Sequence, residues 1–255
     1  MPIIDLTPGN IADYGVCGYK DVEKHLELRK KIEWYKEYYP KGLRIKIIFS
    51  KNGGYQGMLE YIPGKYAHRP VDADGYMFIH CIFVGFKKVF KGKGYASLLI
   101  DECFKEAEDN KMLGVAVVTR KGPFMAHNAL FLKKGFEVVD DAEPDFELLV
   151  KKFDDKSKNP KFKSNMNESL KKYDKGLTIL RSAQCPYSEK NVNAIMESAK
   201  KLNLKINLID LKDVNAVQNT PCAFGSFCLI YNGEIISYHP ISNTRFVNIM
   251  KKKVK

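Results

Sequence analysis

The sequence of 255 residues predicts an α/β protein made of two domains. Three observations lead to this prediction. A nearly continuous apolar run at 77–86 is followed by a glycine-rich turn and an amphipathic segment at 97–109, which indicates a strand, a loop and a helix. The stretch 154–175 is polar and almost free of aliphatic side chains, as linkers are. A second alternation of short strands and helices begins at Gly176.

Composition limits the class of protein. A hydrophobic content of 45% and a charged content of 28% are typical of soluble globular proteins. The longest apolar run, at 77–86, has about half of the ~20 residues that a membrane-spanning helix needs. The first residues show neither a basic segment nor the apolar core of a signal peptide, so we expect a cytoplasmic protein without a membrane partner. In that compartment the six cysteines are expected to be reduced thiols.

The net charge of +12 raises the question of a nucleic-acid partner. The lysines are scattered, with short clumps at 151–152, 171–172 and 251–255, and no basic face is interleaved with aromatic residues. We therefore expect a solvated lysine surface and no nucleic-acid partner. Attraction of an anionic cofactor is a second contribution to the same charge.

Residues 1–76 are predicted to open the first domain. The predicted elements are a strand at 3–6, a helix at 21–39, and a hairpin of strands at 44–49 and 55–62. One face of the helix is approximated by Val22, Leu26, Ile32 and Tyr35. Pro40 ends the helix, and Asn52, Gly53 and Gly54 form the hairpin turn. A polar loop at 63–74 leads into a strand at 76–84, and loops of this length are often functional.

The segment 91–96, with the sequence KGKGYA, is the centre of the first domain. Gly92 and Gly94 lack a Cβ atom and tolerate positive φ, so the backbone can come close to a ligand. Lys91 and Lys93 add positive charge. The helix that follows directs its free N–H groups and the positive end of its dipole at the same point. An anionic phosphate fits such a site, and a simple tight turn is the alternative.

The helix after this loop should bury one face. Its apolar positions follow the helical repeat and are Ala96, Leu99, Ile100, Cys103, Phe104 and Ala107. Further elements are predicted as a buried strand at 114–119, a short helix at 128–134 and closing strands at 137–140 and 146–153. Gly135 is expected to end the short helix.

Spacing distinguishes between the kinds of phosphate loop. The P-loop pattern is absent, and Ser97 stands where a dinucleotide fingerprint needs its third glycine. The pattern that fits is [Q/R]-x-x-G-x-[G/A], with Lys91 in place of glutamine or arginine. Together with the flanking elements and the helix ending Lys-Gly-Phe at 134–136, this loop resembles the GNAT superfamily of N-acetyltransferases. The resemblance covers about residues 1–153.

The resemblance implies a GNAT fold with a mixed, mainly antiparallel sheet, and acetyl-CoA as the co-substrate. It implies that backbone N–H groups near Phe83 and Val84 bind the cofactor and its thioester carbonyl. The pyrophosphate would lie on residues 91–96, which include Tyr95 and Ala96. The acceptor would be the amine of a small molecule or a peptide. No metal is expected.

The acid and the base of this reaction are left open by the sequence. The superfamily's usual tyrosine acid corresponds to Phe131, which cannot protonate a thiolate, and Tyr95 could take this role. His80 lies in the strand that usually supplies the base, and its alternative is a satisfied core histidine. Asn128 could hold a carbonyl of the cofactor or substrate, or could cap the short helix.

Residues 176–255 form the second predicted domain. Its elements are strands at 177–180, 204–208, 227–231 and 234–238, a helix after Cys185, and a last helix from about Asn243. The segment Cys-Pro-Tyr-Ser at 185–188 and Pro221 resemble the active site and the cis-proline of the thioredoxin/glutaredoxin fold. A GNAT domain followed by such a domain resembles the YoaP-like family.

Cys185 carries a physical argument of its own. A cysteine just before a helix faces the positive end of the helix dipole, which lowers the pKa of its thiol and favours a nucleophilic thiolate. A structural cysteine is the alternative. Cys222 could pair with Cys185, whereas a metal site from these residues with Cys228 and His239 lacks ligand spacing.

Two functions therefore stand at the level of the sequence. The first is an acetyl-CoA-dependent N-acetyltransferase with an accessory thioredoxin-like domain. The second is a thiol-redox or thiol-binding protein that acts through Cys185 and whose first domain binds acyl-CoA without turnover.

Overall fold

The computed structural model describes residues 2–50, 54–85 and 88–253. Asn52 and Gly53 of the predicted turn, and Phe86 at the end of the apolar run, lie outside the described residues. By its internal contacts the chain divides into two compact units. Unit 1 consists of Met1–Ala67 and Val71–Phe162, and unit 2 of His68–Pro70 and Lys163–Lys255.

Unit 1 has its main elements in the predicted order. The helices are α1 (Ile11–Tyr14), α2 (Leu26–Tyr38), α3 (Tyr95–Asp109) and α4 (Ala129–Leu132). The strands are β1 (Ile3–Asp5), β2 (Arg44–Ser50), β3 (Gly54–Pro63), β4 (Val71–Asp72), β5 (Met77–Val84), β6 (Gly114–Arg120), β7 (Glu137–Ala142), β8 (Phe146–Lys152) and β9 (Lys161–Phe162).

Seven strands of unit 1 form one sheet in the order β1-β2-β3-β5-β6-β8-β7. The pair β5–β6 is parallel, and the other neighbouring pairs among the described strands are antiparallel. This confirms the predicted mixed, mainly antiparallel sheet. Helix α3 supplies the crossover between the two parallel strands, as a parallel pair requires.

Helix α3 buries the face that its sequence predicts. Leu99, Ile100, Cys103 and Ala107 are buried against the sheet, where they belong to one apolar core with residues of β3, β5 and β6. The helix begins at Tyr95 because Gly94 takes a left-handed conformation with φ of 75° and so ends the loop.

Helix α2 corrects the prediction for 21–39. Residues 22–24 form a turn instead, because the Asp21 carboxylate accepts from the backbone N–H groups of Glu23 and Lys24. The helix begins at Leu26, which is exposed. Its buried positions are Leu28, Lys31, Ile32, Trp34, Tyr35 and Tyr38.

The polar stretch 154–175 contains regular elements. Strand β9 pairs antiparallel with β4, where Phe162 lies opposite Val71. Phe162 is buried at the pairing, and its N–H donates to the Asp140 carboxylate at 2.8 Å. A helix, α5 (Met166–Leu170), follows. The boundary between the units falls after Phe162, while the domain bounds 1–153 and 176–255 stay a prediction.

Unit 2 continues after α5 with β10 (Leu177–Arg181), α6 (Pro186–Lys201), β11 (Ile206–Asp210), α7 (Val214–Gln218), β12 (Phe227–Tyr231), β13 (Glu234–Ser237) and α8 (Asn243–Lys253). Its four strands form one sheet in the order β11-β10-β12-β13. The pair β10–β11 is parallel, and β12 joins β10 and β13 antiparallel. The thioredoxin-like assignment of this unit stays a prediction.

Sequence reasoning missed helix α7. It begins where the Asp213 carboxylate accepts from the backbone N–H of Ala216 at 2.8 Å, which is the usual capping bond of a helix start. Among the described residues, the helices are too short or too polar to cross a bilayer.

Candidate active site

The two parallel strands of unit 1 separate in the middle of the sheet. Their ladder starts at Met77 opposite Val115 and ends at Ile79 opposite Val117. Strand β5 nevertheless continues to Val84, and β6 continues to Arg120 while paired with β8. Among the described residues, the edge of β5 that faces β6 has no strand partner beyond Ile79, so its backbone groups can bind an extended ligand.

A bulge in β5 lies where the separation begins. In the pairing of β3 with β5, Tyr61 lies opposite Ile79 but Glu60 lies opposite Cys81, so His80 is the extra residue. A bulge of this kind bends the strand and redirects its side chains and backbone groups. The predicted N–H donors, Phe83 and Val84, lie beyond it in the same strand.

A cavity occupies the gap between the separating strands. It is lined by Ile79, His80, Cys81, Ile82, Val117, Val118, Phe124, Met125, Ala126 and Phe131. His80 as a whole is 6% exposed while its side chain is 0% exposed, so it is the backbone of His80 that reaches the surface. Phe131 is fully buried, with its ring edge-on to Phe136 at 5.3 Å between centroids.

The backbone of the glycine-rich loop is open to a ligand. Gly92 and Gly94 have φ of 72° and 75°, and a Cβ atom built on either would meet no atom within 4 Å, so a ligand can approach the backbone. The first hydrogen bond of α3 runs from the Leu98 N–H to the Gly94 carbonyl at 3.0 Å, which leaves the preceding N–H groups outside the helical ladder. The first turn of α3 has no acidic residue.

The loop and the cavity share one apolar core. Tyr95 and Ala96 are half-buried and pack against the cluster that contains Ile79, Val117 and Phe131. The lysines at 91 and 93 are exposed beside the loop. This arrangement is therefore compatible with one ligand that has an anionic group at the loop and an extended chain along β5.

A chain of three buried ionisable side chains lies behind the bulge. Lys31 Nζ forms an ion pair with Glu60 Oε2, and Glu60 Oε1 lies 3.2 Å from His80 Nδ1. All three side chains are fully buried. Burial raises the pKa of Glu60, but the charge of Lys31 and the hydrogen bond with His80 outweigh it and lower this pKa to about 2.

Aromatic rings enclose this charged group. Lys31 Nζ lies 4.1 Å from the ring centroid of Trp34, and the His80 ring packs against Trp34 and Phe78. Sequence reasoning missed Lys31 and Glu60. The helical spacing of Lys31 with Leu28, and the position of Glu60 inside an apolar strand, are the signals that could have found them.

Asn128 has a partner that the sequence did not suggest. It stands at the start of α4, but its side chain makes no capping bond, which corrects the helix-cap interpretation. Its amide donates to Glu147 Oε2 at 2.7 Å, because strand β8 brings that carboxylate within reach. A role of Asn128 in cofactor binding stays a prediction.

Cys185 lies at the N-cap of α6 in unit 2, as its place before Pro186 predicts. Its backbone is extended, with φ of −117°, and the residue is half-buried. Cys222 is buried, and its thiol donates to the Tyr238 carbonyl at 3.6 Å. Burial, with the neighbouring Cys222 thiol, raises the pKa of Cys228 well above its usual range.

The six cysteines all lie in the described part of the chain, and the structure joins none of them in a disulfide. A pairing of Cys185 with Cys222 stays a prediction. Within residues 2–50, 54–85 and 88–253, no group of three or more histidine, cysteine or acidic side chains could hold a metal ion.

Unit 1 is thus a mixed-sheet α/β unit with a glycine-rich loop before α3 and a gap between its two parallel strands. Two matches to known sequences accompany this geometry. A family model described as YoaP-like matches residues 205–248. The protein named uncharacterized N-acetyltransferase YoaP, from Bacillus subtilis (strain 168), is 26% identical over 254 residues, which are 98% of this chain and 98% of that protein.

Solved structures also resemble part of the chain. The ribosomal-protein-alanine N-acetyltransferase from Brucella melitensis is 17% identical with a TM-score of 0.43, and the match covers 60% of this chain and 100% of that one. The paia N-acetyltransferase from Thermoplasma acidophilum, in complex with coenzyme A, is 15% identical with a TM-score of 0.40, over 60% of this chain and 100% of that one.

Proposed function

We propose that the chain is an acetyl-CoA-dependent N-acetyltransferase that acts on the amine of a small molecule or a peptide. The observation that carries the proposal is the parting of β5 from β6 after Ile79 and Val117, beside the loop 91–96. The match over 98% of both chains to a protein named as an N-acetyltransferase supports it. In this proposal unit 2 is an accessory, thioredoxin-like domain.

The gap and the loop suit the two ends of acetyl-CoA. The pyrophosphate binds the N–H groups at the start of α3 and the lysines at 91 and 93. The pantetheine arm follows the edge of β5, where N–H groups near Phe83 and Val84 bind the arm and the thioester carbonyl. Asn128 is a further candidate contact for a cofactor carbonyl.

Transfer in this site needs few protein groups. The amine nitrogen attacks the thioester carbon, a C–N bond forms, and the negative charge on the oxygen is stabilised by the N–H groups of β5. The C–S bond then breaks, and the CoA thiolate leaves with the electron pair. Phe131 offers no proton to this thiolate, so we assign the acid role to Tyr95 at the start of α3.

His80 is our proposed base. Its Nδ1 faces Glu60 at 3.2 Å, so Nε2 is the nitrogen that exchanges a proton with the acceptor. Since the side chain is fully buried, the amine or a water molecule has to enter beside the ring for this exchange. A role of His80 in holding the bulge is the alternative that the same geometry supports.

A CoA-release screen over amines, amino acids, peptides and aminoglycoside antibiotics tests the proposal. Wild type should release CoA with at least one acceptor, and Phe131→Tyr should release it at an equal or higher rate.

The role of His80 is tested by the dependence of kcat/KM on pH. If His80 is the base, His80→Ala lowers kcat/KM and removes one limb of the plot of kcat/KM against pH. An unchanged pH profile would remove His80 from the mechanism, and no release on the whole panel despite cofactor binding would leave a binding protein without turnover.

A further inference from the structure

Glu147 lies beside the end of β6 that has separated from β5. In the pairing of β6 with β8 it stands opposite Thr119, which follows shortly after Val117, the last residue of β6 that pairs with β5. Glu147 is half-buried, and its Oε2 accepts from the Thr119 hydroxyl at 3.4 Å. A carboxylate is thereby held at the β6 side of the gap.

Asn128 binds the same carboxylate oxygen. Its amide nitrogen donates to Glu147 Oε2 at 2.7 Å, a short bond of the kind that charged acceptors make. Because a carboxylate only accepts hydrogen bonds, the NH₂ end of the amide has to face Glu147. The carbonyl oxygen of the planar amide then lies on the side away from Glu147. Among the described residues this oxygen accepts no hydrogen bond, so it is available to a ligand.

A cation of β6 is engaged elsewhere. Arg120 Nε forms an ion pair with the Asp145 carboxylate, and the guanidinium carbon lies 4.9 Å from the ring centroid of Phe146. Glu147 forms no ion pair with any residue that the structure describes. Neutral donors alone orient its carboxylate, so its charge strengthens the bond from the Asn128 amide.

Asn128 lies in the segment that bounds the gap on the β6 side. Ala126 and Phe131, which precede and follow it in the chain, both line the cavity between β5 and β6. The other side of the gap is the edge of β5, which has no strand partner beyond Ile79 in the described part of the chain. An extended ligand in the gap therefore passes between the backbone edge of β5 and the segment that carries Asn128.

We propose that Glu147 is a positioning residue that fixes the Asn128 amide, so that Asn128 accepts a hydrogen bond from an amide N–H group in the pantetheine arm of acetyl-CoA. This inference rests on the proposed function. An N–H group of the arm needs an acceptor once it leaves water, because an unsatisfied donor is costly. A contact of Asn128 with a cofactor carbonyl would need the opposite polarity, with the NH₂ group turned toward the ligand, and Glu147 holds that group.

An exchange of the two polar groups tests this polarity, with acetyl-CoA binding to the full chain measured by calorimetry. Asn128→Asp places two carboxylates side by side and should weaken binding by about tenfold or more. In the double variant Asn128→Asp with Glu147→Gln, the introduced amide donates to the introduced carboxylate, whose other oxygen still accepts from the cofactor. The affinity of the double variant should return to within about threefold of wild type.

A fragment of the cofactor and an exposed carboxylate supply the controls. ADP carries the pyrophosphate without the pantetheine arm, so its affinity should change by less than about twofold in these variants. Glu143→Gln removes an exposed charge from the hairpin of β7 and β8 and should leave acetyl-CoA binding unchanged.

Glu147→Leu keeps the test decisive if the double variant does not fold. It leaves the Asn128 amide free to turn, so acetyl-CoA should bind about tenfold more weakly while ADP binding is unchanged. Wild-type affinity for acetyl-CoA in folded Glu147→Leu, or a folded double variant that binds as weakly as Asn128→Asp, would overturn the inference. Absence of acetyl-CoA binding in wild type would instead contradict the proposed function, and this inference with it.

Discussion

The buried group Lys31, Glu60 and His80 is the least expected feature at the scale of single residues. Taking charges out of water is costly, and removing one partner of a buried pair commonly costs about 3–5 kcal/mol. Here each charge has a partner, since Glu60 joins a lysine from α2 to a histidine at the bulge of β5. The group therefore ties three elements together at the proposed transfer site.

The stability of this group should depend on pH. The pKa of Glu60 in the folded state, about 2, lies below its ordinary value of 4.5. The carboxylate therefore contributes stability that is fully present above pH 4.5 and is lost as the pH falls through 2. We expect the free energy of unfolding to fall by about 1–3 kcal/mol between about pH 5 and pH 2.5 because of Glu60, as measured by urea unfolding.

The control for this prediction is the double variant Lys31→Met with Glu60→Leu. It removes both partners and keeps their approximate volumes, so it should fold and show a shallower loss of stability on acidification. The same acid dependence in wild type and the double variant would show that Glu60 does not carry it.

At the residue scale, the sequence singled out two residues whose positions the structure now gives, while their chemistry stays a prediction. Phe131 in place of a tyrosine and Cys185 before a helix could both be read from local sequence, and they lie in the cavity and at the N-cap. Lys31 and Glu60 meet across 29 positions, and Arg69 and Gln184 across 115. Pairings over such distances depend on the packing of elements, which one sequence does not show.

At the scale of elements, the docking of His68–Pro70 on Gly225 gives a prediction. Gly225 has φ of +71°, and a Cβ atom there would collide with the His68 carbonyl and Arg69 Cα. Gly176 has φ of +73° but open space around its Cβ position. Gly225→Ala should therefore lower the free energy of unfolding by about 1–3 kcal/mol more than Gly176→Ala, for which the backbone cost is about 1–2 kcal/mol.

Thermal and urea unfolding of the two glycine variants measure this difference. Both variants carry the same backbone strain at positive φ. The difference between their free energies of unfolding therefore measures the clash of the new Cβ atom at position 225 with the His68–Pro70 segment. Equal losses of stability in Gly225→Ala and Gly176→Ala would mean that the segment is not held against Gly225 in solution.

Elements with a strong sequence period were predicted well. Strand β5 and helix α3 followed from an apolar run and a helical repeat, and the glycines between them marked the loop. Strand β9 was missed because Phe162 stands between two lysines in a polar stretch, and its pairing partner lies about 90 positions earlier. The bulge at His80 was missed because a bulge leaves no mark in the pattern of apolar residues.

At the scale of the whole molecule, the chain combines two units with separate sheets and separate candidate chemistry. Unit 1 holds the glycine-rich loop 91–96 and the gap between β5 and β6, and unit 2 holds Cys185. Composition predicts two domains, but it does not predict that three residues of the early loop belong to the later unit. The segment His68–Pro70 is too short to differ in composition from the loop around it.

Calorimetry of acetyl-CoA binding shows whether residues 91–96 hold the cofactor. Gly94→Val places a branched side chain where the cofactor's pyrophosphate must approach the backbone, so its affinity should fall at least about tenfold, or about 1.4 kcal/mol. Gly176→Val carries the same positive φ in equally open space, in unit 2, and should bind like wild type. Equal affinity of wild type and Gly94→Val for acetyl-CoA would contradict the account.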